Sequence, residues 1–230
     1  MSVKTSNIDA ENFCKINDKV KAYILGLLWA DGNISYDKIV NFCSTLPDAD
    51  TFLTFFNHIG KWNVYSYKNK KHPTWKVTAK ISTSNKDVIN FLIKNDFKVR
   101  FGGFKKILKT IPNKFHRYWL LGFIDGDGCF HINKKNGSYR FSIASCYEQT
   151  WTDIEKILKN LKIEYKIERY KGLKSSYSKI HIVGKSRVKK FGDYLYITYN
   201  EDELGLYRKW DKYKQISNQC NKWVRKCTLS

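Results

Sequence analysis

Helical and strand-like patterns of apolar residues follow one another in the same order in both halves of this chain. The first half predicts a strand-like region, a helix, two strands and a helix, at residues 33–45, 48–59, 62–68, 74–82 and 85–95. The second half predicts two strands, a helix, two strands and a helix, at residues 129–133, 139–145, 150–161, 164–170, 178–183 and 186–195. With one helix before each series, we expect an α+β fold built from two αββαββα halves. The tail at 201–226 has a helical pattern that weakens toward its end.

The helix that opens each half carries a repeated segment. Residues 23–32 read YILGLLWADG and residues 119–128 read WLLGFIDGDG, with an offset of 96 residues. Each copy has two small residues four positions apart, which places them on one face of a helix and allows close approach of a second helix. Glycine inside a helix costs about 1 kcal/mol relative to alanine. Its presence in both copies therefore predicts that the two helices pack on each other.

Each repeated helix ends with an aspartate, Asp31 or Asp127, followed by a glycine that suits a helix C-cap. An acid at this place faces the negative end of the helix dipole, at a cost of roughly 0.3–1 kcal/mol. Helices packed side by side would also bring the two carboxylates together, where they repel. A divalent cation such as Mg²⁺ removes both costs, and with a phosphate group it can support phosphodiester hydrolysis. One such segment is typical of a tight turn, but two matched copies favour a catalytic site.

The charge of the chain supports a nucleic-acid partner. There are 42 Lys and Arg residues against 21 Asp and Glu, which gives a net charge of +21. The basic residues extend from Lys4 to Lys226, so they predict a broad surface rather than a basic tail. An anionic membrane surface and a generic basic protein, such as a ribosomal one, are the alternatives.

Other features of the sequence indicate an intracellular protein without a membrane span. No apolar run is long enough to cross a bilayer, and the first twelve residues lack the apolar stretch of a signal peptide. We expect it in a bacterial or phage-host cytoplasm or in an organelle. The six cysteines include no CxxC pair, so we interpret them as reduced thiols, several of them in the core.

The segments ILGLLWADG at 24–32 and LLGFIDGDG at 120–128 resemble the two motifs of the double-motif, monomeric LAGLIDADG homing endonucleases. The resemblance covers residues 19–195 and implies two pseudo-twofold-related half-domains that form a DNA-binding saddle. The expected boundaries are an N-terminal half-domain, a linker and a C-terminal half-domain at residues 1–104, 105–116 and 117–230. The first motif has Trp29 where the family often has an acid, which the second motif keeps as Asp125. We interpret Trp29 as a packing residue.

The resemblance also implies the catalytic residues. Asp31 and Asp127 would bind the catalytic Mg²⁺, for which Mn²⁺ is expected to substitute, with Ala30 and Gly126 as further metal-binding positions. Two lysines that follow the last strand of each half, Lys86 and Lys185, are predicted to assist catalysis. The alternatives to these lysines are Lys80 and Lys179. The family often places a polar residue at the end of the second strand, where this chain has Ser44 and Ser145.

Strand alternation predicts the DNA contacts. If the apolar side of each strand packs on helices, the other side faces DNA. The predicted DNA-binding residues are Asn33, Ser35, Asn41, Lys76, Thr78 and Lys80 in the first half and His131, Asn133, Arg140, Lys179 and His181 in the second. Lysine and arginine can contact guanine and asparagine can contact adenine, whereas other contacts reach only phosphates.

The predicted function is a site-specific endonuclease that makes a metal-dependent double-strand break in a long, asymmetric DNA target, acting as a monomer. One alternative is a LAGLIDADG RNA maturase that assists intron splicing, and another is a regulator that uses the fold only to bind DNA. The presence of both aspartates argues against these two alternatives. An endonuclease embedded in an intein is disfavoured because the chain leaves no room for splicing segments.

Overall fold

A computed structural model describes residues 7–68, 74, 76–133, 135–173, 175–202 and 204–227, with the side chains of 201, 202 and 221–227 excepted. These residues group into two compact units. The first contains the chain up to Arg100 together with Lys106–Gly126, and the second contains Phe101–Lys105 together with the chain from Asp127 onward. The contacts thus place most of the predicted linker, 105–116, with the first unit, because the helix that follows it packs there.

The elements up to the end of the second motif helix are, in chain order, β1 (Asn7–Ile8), α1 (Ala10–Cys14), α2 (Lys19–Asp31), β2 (Gly32–Ser35), β3 (Ile39–Thr45), α3 (Leu46–Phe56), β4 (Gly60–Lys61), β5 (Asn63–Tyr67), β6 (Thr78–Thr83), α4 (Lys86–Lys94), α5 (Lys105–Thr110) and α6 (His116–Asp127). Short 3-10 helices lie at Asn57–Ile59, Phe97–Gly102 and Asn113–Phe115. Four strands form an antiparallel sheet in the order β2-β3-β6-β5. One face of this sheet is apolar and packs on α3, where the Phe42 ring lies 5.2 Å from Phe52 and 5.4 Å from Phe56.

The second unit continues with β7 (Gly128–Asn133), β8 (Ser138–Ser145), α7 (Thr152–Asn160), β9 (Lys166–Lys171), β10 (Ser176–Val183), α8 (Lys185–Leu195), α9 (Tyr199–Asp202) and α10 (Tyr207–Cys227). Its sheet has the order β7-β8-β10-β9 and is antiparallel throughout. The apolar face is again covered by helices, with the Phe141 ring 4.8 Å from Phe130 and 4.7 Å from Phe191 of α8. The α+β class and the predicted order of strands and helices are therefore confirmed.

The motif helix α2 is buried along most of its length and contacts α6 within the first unit. Its residues from Lys21 to Trp29 are all buried, as is typical of a helix that is apolar on every side. A Cβ atom on Gly26 would lie 2.0 Å from the Trp119 carbonyl oxygen, and one on Gly122 would lie 2.0 Å from the Tyr23 carbonyl oxygen. Only glycine fits at either position, so the predicted packing of the two helices is confirmed.

Two details differ from the sequence-based expectations. The tail forms one helix of 21 residues, α10, whereas the pattern predicted a weaker second part. It packs on α8, where Gly192 makes room for the Tyr213 ring. The five cysteines whose side chains the structure describes are free thiols, as expected, but none of them is fully buried. The expectation that several lie in the core is therefore wrong for these five.

The expectation for Gly32 is also corrected in its physical reason. Gly32 is the C-cap of α2, but its φ is −79° and its backbone is extended, so no left-handed conformation calls for glycine here. A Cβ atom on Gly32 would instead lie 2.4 Å from the Leu28 carbonyl oxygen. The absence of a side chain allows α2 to continue directly into β2, with Asp31 at the junction.

Candidate nuclease site and nucleic-acid interface

Asp31 is the last residue of α2, and its side chain is exposed. The end of α6 lies against it in the first unit. A Cβ atom on Gly126 would be 2.3 Å from the Ala30 Cβ and 3.0 Å from the Asp31 Oδ2. Any side chain at position 126 would therefore cover the carboxylate. The residue after Gly126 is Asp127, the half-exposed last residue of α6, where the chain enters the second unit.

Arg100 holds the backbone on both sides of Asp31, and the sequence analysis did not identify it. Its Nε donates a hydrogen bond to the Trp29 carbonyl oxygen at 2.8 Å, and one terminal nitrogen donates to the Gly32 carbonyl oxygen at 2.8 Å. The guanidinium also lies 4.7 Å from the centre of the Phe97 ring. A cation at this end of a helix interacts favourably with the helix dipole. Arg100 therefore fixes the end of α2 and places a positive charge beside the acid.

Trp29 and Asp125 occupy the same position of the two motifs, and both are buried in the first unit. Trp29 is 2% exposed and packs edge-on against Phe97 at 4.9 Å between ring centres. The burial of Trp29 confirms its interpretation as a packing residue. Asp125, at the corresponding position of α6, is also 2% exposed and accepts a hydrogen bond of 2.7 Å from the Tyr23 hydroxyl. Neither residue is placed to meet a substrate.

In the first unit, Lys80 is the candidate lysine that has a neighbour in common with Asp31. It pairs across the sheet with Cys43, and its ammonium lies 5.5 Å from the centre of the Tyr65 ring. Burial raises the pKa of the Cys43 thiol, while the charge of Lys80 lowers it and that of Asp31 raises it. Cys43 therefore lies within electrostatic reach of both Lys80 and Asp31.

The structure does not bring Lys86 to Asp31. Lys86 is exposed and lines a cavity of about 430 Å³ together with Asp37 and Lys38, which belong to the turn between β2 and β3. That turn lies at the opposite end of β2 from Asp31, and four residues of extended strand span roughly 13 Å. The cavity is therefore separate from the aspartate.

The structure does not bring Lys185 toward the end of α6 either. Its ammonium donates a hydrogen bond of 2.7 Å to the Gln219 carbonyl oxygen in α10 and lies 5.5 Å from the centre of the Tyr139 ring. The residue before α8, Gly184, donates its backbone N–H to the Tyr139 carbonyl oxygen, near the β7–β8 turn. Lys185 thus joins α8, α10 and the far end of β8. A catalytic role for Lys86 or Lys185 stays a prediction. Of the two alternatives, Lys80 has Cys43 as a common neighbour with Asp31.

The predicted DNA-binding residues of the first half share one face of their sheet. Cross-strand pairing connects Asn33 of β2 with Asn41 of β3 and continues from β3 to β6. The predicted residues on this face are Asn33, Ser35, Asn41, Thr78 and Lys80. Lys76 is exposed just before β6. Asn41 is 1% exposed, because its side-chain amide donates to Asn33 Oδ1 at 3.1 Å and to Ser35 Oγ at 2.9 Å. Asn41 therefore orients its neighbours. Ser44 and Ser145 point to the apolar side, in phase with Phe42 and Ile143.

The predicted residues of the second half also share one face, which consists of His131, Asn133, Arg140, Lys179 and His181. His181 is 3% exposed, and its Nδ1 lies 3.4 Å from a carboxylate oxygen of Glu168. Burial lowers the pKa of His181, and the charges of Lys179, Arg140 and Lys166 lower it further, while Glu168 raises it. His181 is therefore held neutral in a strongly basic surface.

The outer strands β5 and β9 add residues to these faces that the sequence analysis did not include. They are Tyr65 and Tyr67 on β5 and Glu168 and Tyr170 on β9, with Tyr177 on β10 opposite Tyr170. The Tyr170 and Tyr177 rings stack at 5.5 Å between centres with an interplanar angle of 28°. The same alternation rule would have found these residues once the partner of each outer strand was known.

Comparison with known proteins shows that part of the chain is similar to a known family. Residues 114–196 match the LAGLIDADG-like domain family. The probable intron-encoded endonuclease Cox1-I1b of Schizosaccharomyces pombe is 41% identical over 70 residues, which is 29% of this chain. The matched region spans only 16% of the length of that relative. No helix in the described part of the chain is long and apolar enough to cross a membrane.

Solved structures resemble the chain over nearly its full length. The I-LtrWI LAGLIDADG homing endonuclease, solved bound to target DNA, has a TM-score of 0.54 and 16% identity, with 96% of this chain and 94% of that chain covered. The homing endonuclease I-WcaI, solved on its DNA recognition sequence, has a TM-score of 0.56 and 15% identity, with 88% and 91% covered. DUF199/WhiA from Thermatoga maritima has a TM-score of 0.51 and 15% identity, with 96% and 70% covered. Residues 114–196 therefore match the LAGLIDADG-like domain family, and the chain as a whole has the fold of the LAGLIDADG homing endonucleases.

Proposed function

We propose that this protein is a site-specific DNA endonuclease that makes a metal-dependent double-strand break in a long, asymmetric duplex, with one chain acting on one site. The observation that carries the proposal is the pair of aspartates that end two helices packed through glycine. Asp31 is exposed, is bare of any covering side chain at Gly126, and lies at a backbone segment held by Arg100.

The donor set at this place fits a hard divalent cation. Mg²⁺ prefers carboxylate oxygens, backbone carbonyls, waters and phosphate oxygens, and Asp31 and Asp127 would each hold one through the carboxylate, with the carbonyls of Ala30 and Gly126 as further donors. When bound, the metal supplies an activated water and stabilises the charge that develops on the phosphate. Mn²⁺ has the same ligand preferences and is proposed to substitute.

The residues of the chain supply binding and orientation. The polar faces of the two sheets bind the phosphate backbone. Residues that reach the base edges determine which DNA sequence is bound. Lys80, which lies within electrostatic reach of the same thiol as Asp31, is placed to hold a phosphate near that carboxylate. Because the two faces carry different side chains, the two half-sites of the target must differ.

DNA as the partner is supported by the charge of +21 and by the structural relatives, which were solved on DNA. The Schizosaccharomyces pombe relative is described as intron-encoded. We therefore place the protein inside a cell that carries such an intron or target gene, in a bacterial or phage-host cytoplasm or in an organelle. The motif duplication gives α2 its packing partner within the same chain, which supports action as a monomer.

Replacement of each aspartate tests this function. Asp31→Asn and Asp127→Asn should each abolish double-strand cleavage of a randomised duplex library in Mg²⁺ while leaving DNA affinity largely unchanged, because the amide is isosteric but a poor metal ligand. Asp37→Asn is the matched control, since Asp37 is an exposed acid paired with Lys98 at the far end of β2. The control should cleave at the normal rate.

Two results would contradict the proposal. One is normal cleavage by either aspartate variant. The other is failure of the unmodified protein to cut any duplex, combined with tight, Mg²⁺-independent binding to an intron RNA, which would favour the maturase.

A further inference from the structure

The two sheets carry one pair of equivalent lysines with different partners. The cross-strand ladder that starts at the glycine after each motif aspartate aligns the sheets. In the first unit it runs from Gly32 through Phe42 and Ile81 to Val64. In the second it runs from Gly128 through Ile143 and Ile180 to Ile167. The next ladder of the first sheet, Cys43, Lys80 and Tyr65, then corresponds to the next ladder of the second sheet, Ala144, Lys179 and Glu168.

Lys80 is therefore equivalent to Lys179, and Tyr65 is equivalent to Glu168. In the first unit the Lys80 ammonium lies 5.5 Å from the centre of the Tyr65 ring. In the second unit the Lys179 ammonium makes an ion pair of 2.7 Å with Glu168 Oε2. The same lysine position thus faces an aromatic ring in one half and a carboxylate in the other.

The acid is unexpected on this surface. Glu168 lies among Lys179, Arg140 and Lys166, and its hydrogen bond with Lys179 lowers its pKa, so the carboxylate stays ionised. The side chain is 46% exposed, and an ion pair with that exposure adds little to stability. A negative charge on a surface that binds phosphates also weakens nonspecific affinity. The carboxylate is therefore better explained by recognition of a base than by folding.

We propose that Glu168 and Lys179 act together as the reader of one C·G base pair in the half-site bound by the second unit. This inference rests on the proposed DNA-binding function. The carboxylate accepts a hydrogen bond from the cytosine N4 amino group, and the Lys179 ammonium donates to guanine O6 or N7. In a C·G pair the N4 donor and the O6 acceptor are themselves hydrogen-bonded at about 2.9 Å. That spacing matches the 2.7 Å between the Lys179 nitrogen and the Glu168 oxygen.

An A·T pair fits the same two side chains less well. Adenine N6 can also donate to a carboxylate, but thymine offers one acceptor, O4, next to a methyl group. The methyl group would remove water from the lysine ammonium without offering it a second acceptor. Guanine instead offers two acceptors to the lysine. In the first unit Tyr65 provides no carboxylate, so no equivalent requirement for cytosine exists there.

The test is selection of bound duplexes from a randomised library, without Mg²⁺ so that nothing is cut. The unmodified chain should select C·G at one position of one half-site, by about tenfold or more over each other pair. Glu168→Gln should shift the preference at that position toward A·T, because glutamine reads adenine, and leave the other positions unchanged. Glu164→Gln removes the same charge from an acid that pairs with Arg187 off this face, and it should keep the original preference.

A second variant tests whether the same recognition of a C·G pair can be introduced into the first unit. Tyr65→Glu should create a carboxylate next to Lys80 and a new C·G preference at the equivalent position of the other half-site. An unchanged selection with Glu168→Gln, or an A·T preference in the unmodified chain, would overturn the inference and leave the endonuclease function standing. A library from which the unmodified chain selects no sequence at all would instead contradict the proposed function itself.

Discussion

At the scale of single residues, the site depends on two glycines, which have no side chain, and on one arginine. Gly126 leaves the Asp31 carboxylate uncovered, and Gly32 allows the chain to leave α2 without a bend away from the acid. Arg100 then fixes this short segment through carbonyl groups on both sides of Asp31. The backbone at Asp31 is thus held in place, while its side chain is exposed.

The structure predicts that Arg100 is a positioning residue for Asp31. Arg100→Met should slow cleavage at saturating Mg²⁺ and DNA by roughly 10–100-fold, as loss of an outer partner of a metal site commonly does. Arg100→Lys should recover part of the rate, since lysine keeps the charge but cannot reach both carbonyl groups. The measurement is single-turnover cleavage well below the unfolding temperature, with DNA affinity followed in parallel. A purely structural role would lower the unfolding temperature of Arg100→Met without slowing single-turnover cleavage.

At the scale of elements, the contact between α2 and α6 is made by backbone against backbone. The missing Cβ atoms of Gly26 and Gly122 would each meet a carbonyl oxygen of the other helix at 2.0 Å. This contact lies within the first unit, and each of the two helices ends at an aspartate. β2 follows α2 directly and β7 follows α6 directly, so each sheet starts at the residue after a motif aspartate.

We predict that Gly26→Ala destabilises the fold although alanine is the better helix former. The gain in helix propensity is about 1 kcal/mol, whereas overpacking against backbone that cannot rotate away costs typically 1–3 kcal/mol and occasionally more. A net loss in the free energy of unfolding is therefore expected in urea titrations. Gly102→Ala is the control, because a Cβ atom there would meet no atom within 4 Å. Equal stabilities of the two variants would contradict the close packing.

At the scale of the whole molecule, charge determines how the protein meets its partner. The excess of 21 positive charges is spread along the chain. Lys80 lies on the polar face of the first sheet, and Arg140, Lys166 and Lys179 lie on that of the second. Such a surface attracts any duplex, and only side chains that reach the base edges select among sequences. Affinity and specificity therefore rest on different residues of the same faces.

DNA affinity should consequently fall steeply with salt. The logarithm of the binding constant should decrease linearly with the logarithm of salt concentration, with a slope of about −0.9 per neutralised phosphate. Lys80→Met should make this slope smaller in magnitude by about one phosphate. Lys106→Met, which removes a lysine paired with Asp96 away from the sheet face, should leave it unchanged. Equilibrium binding between low and moderate salt gives both slopes, and a nearly flat dependence would argue against phosphate-driven binding.

Much of this description could be predicted from the sequence because its signals are local. The order of helices and strands follows from periods of apolar residues that depend only on near neighbours in the chain. The two aspartates and the glycine faces could be found because the chain repeats them 96 residues apart. All but one of the residues predicted to contact DNA lie in strands and share one face of their sheet, since successive side chains of a strand point to opposite sides. The exception is Lys76, which precedes β6.

What the sequence could not give depends on contacts between distant residues. Arg100 is 69 positions from Asp31 and has no counterpart in the motif, so only the folded chain shows that it holds the end of α2. Lys86 and Lys185 follow the last strands in sequence, but the antiparallel pairing carries those strand ends away from the motif helices. The pairing of Glu168 with Lys179 likewise depends on the register of β9 against β10. The sequence by itself thus determined the elements, the repeat and the acids, and the tertiary structure decided which side chains stand beside them, because strand register and helix packing are set by the whole core.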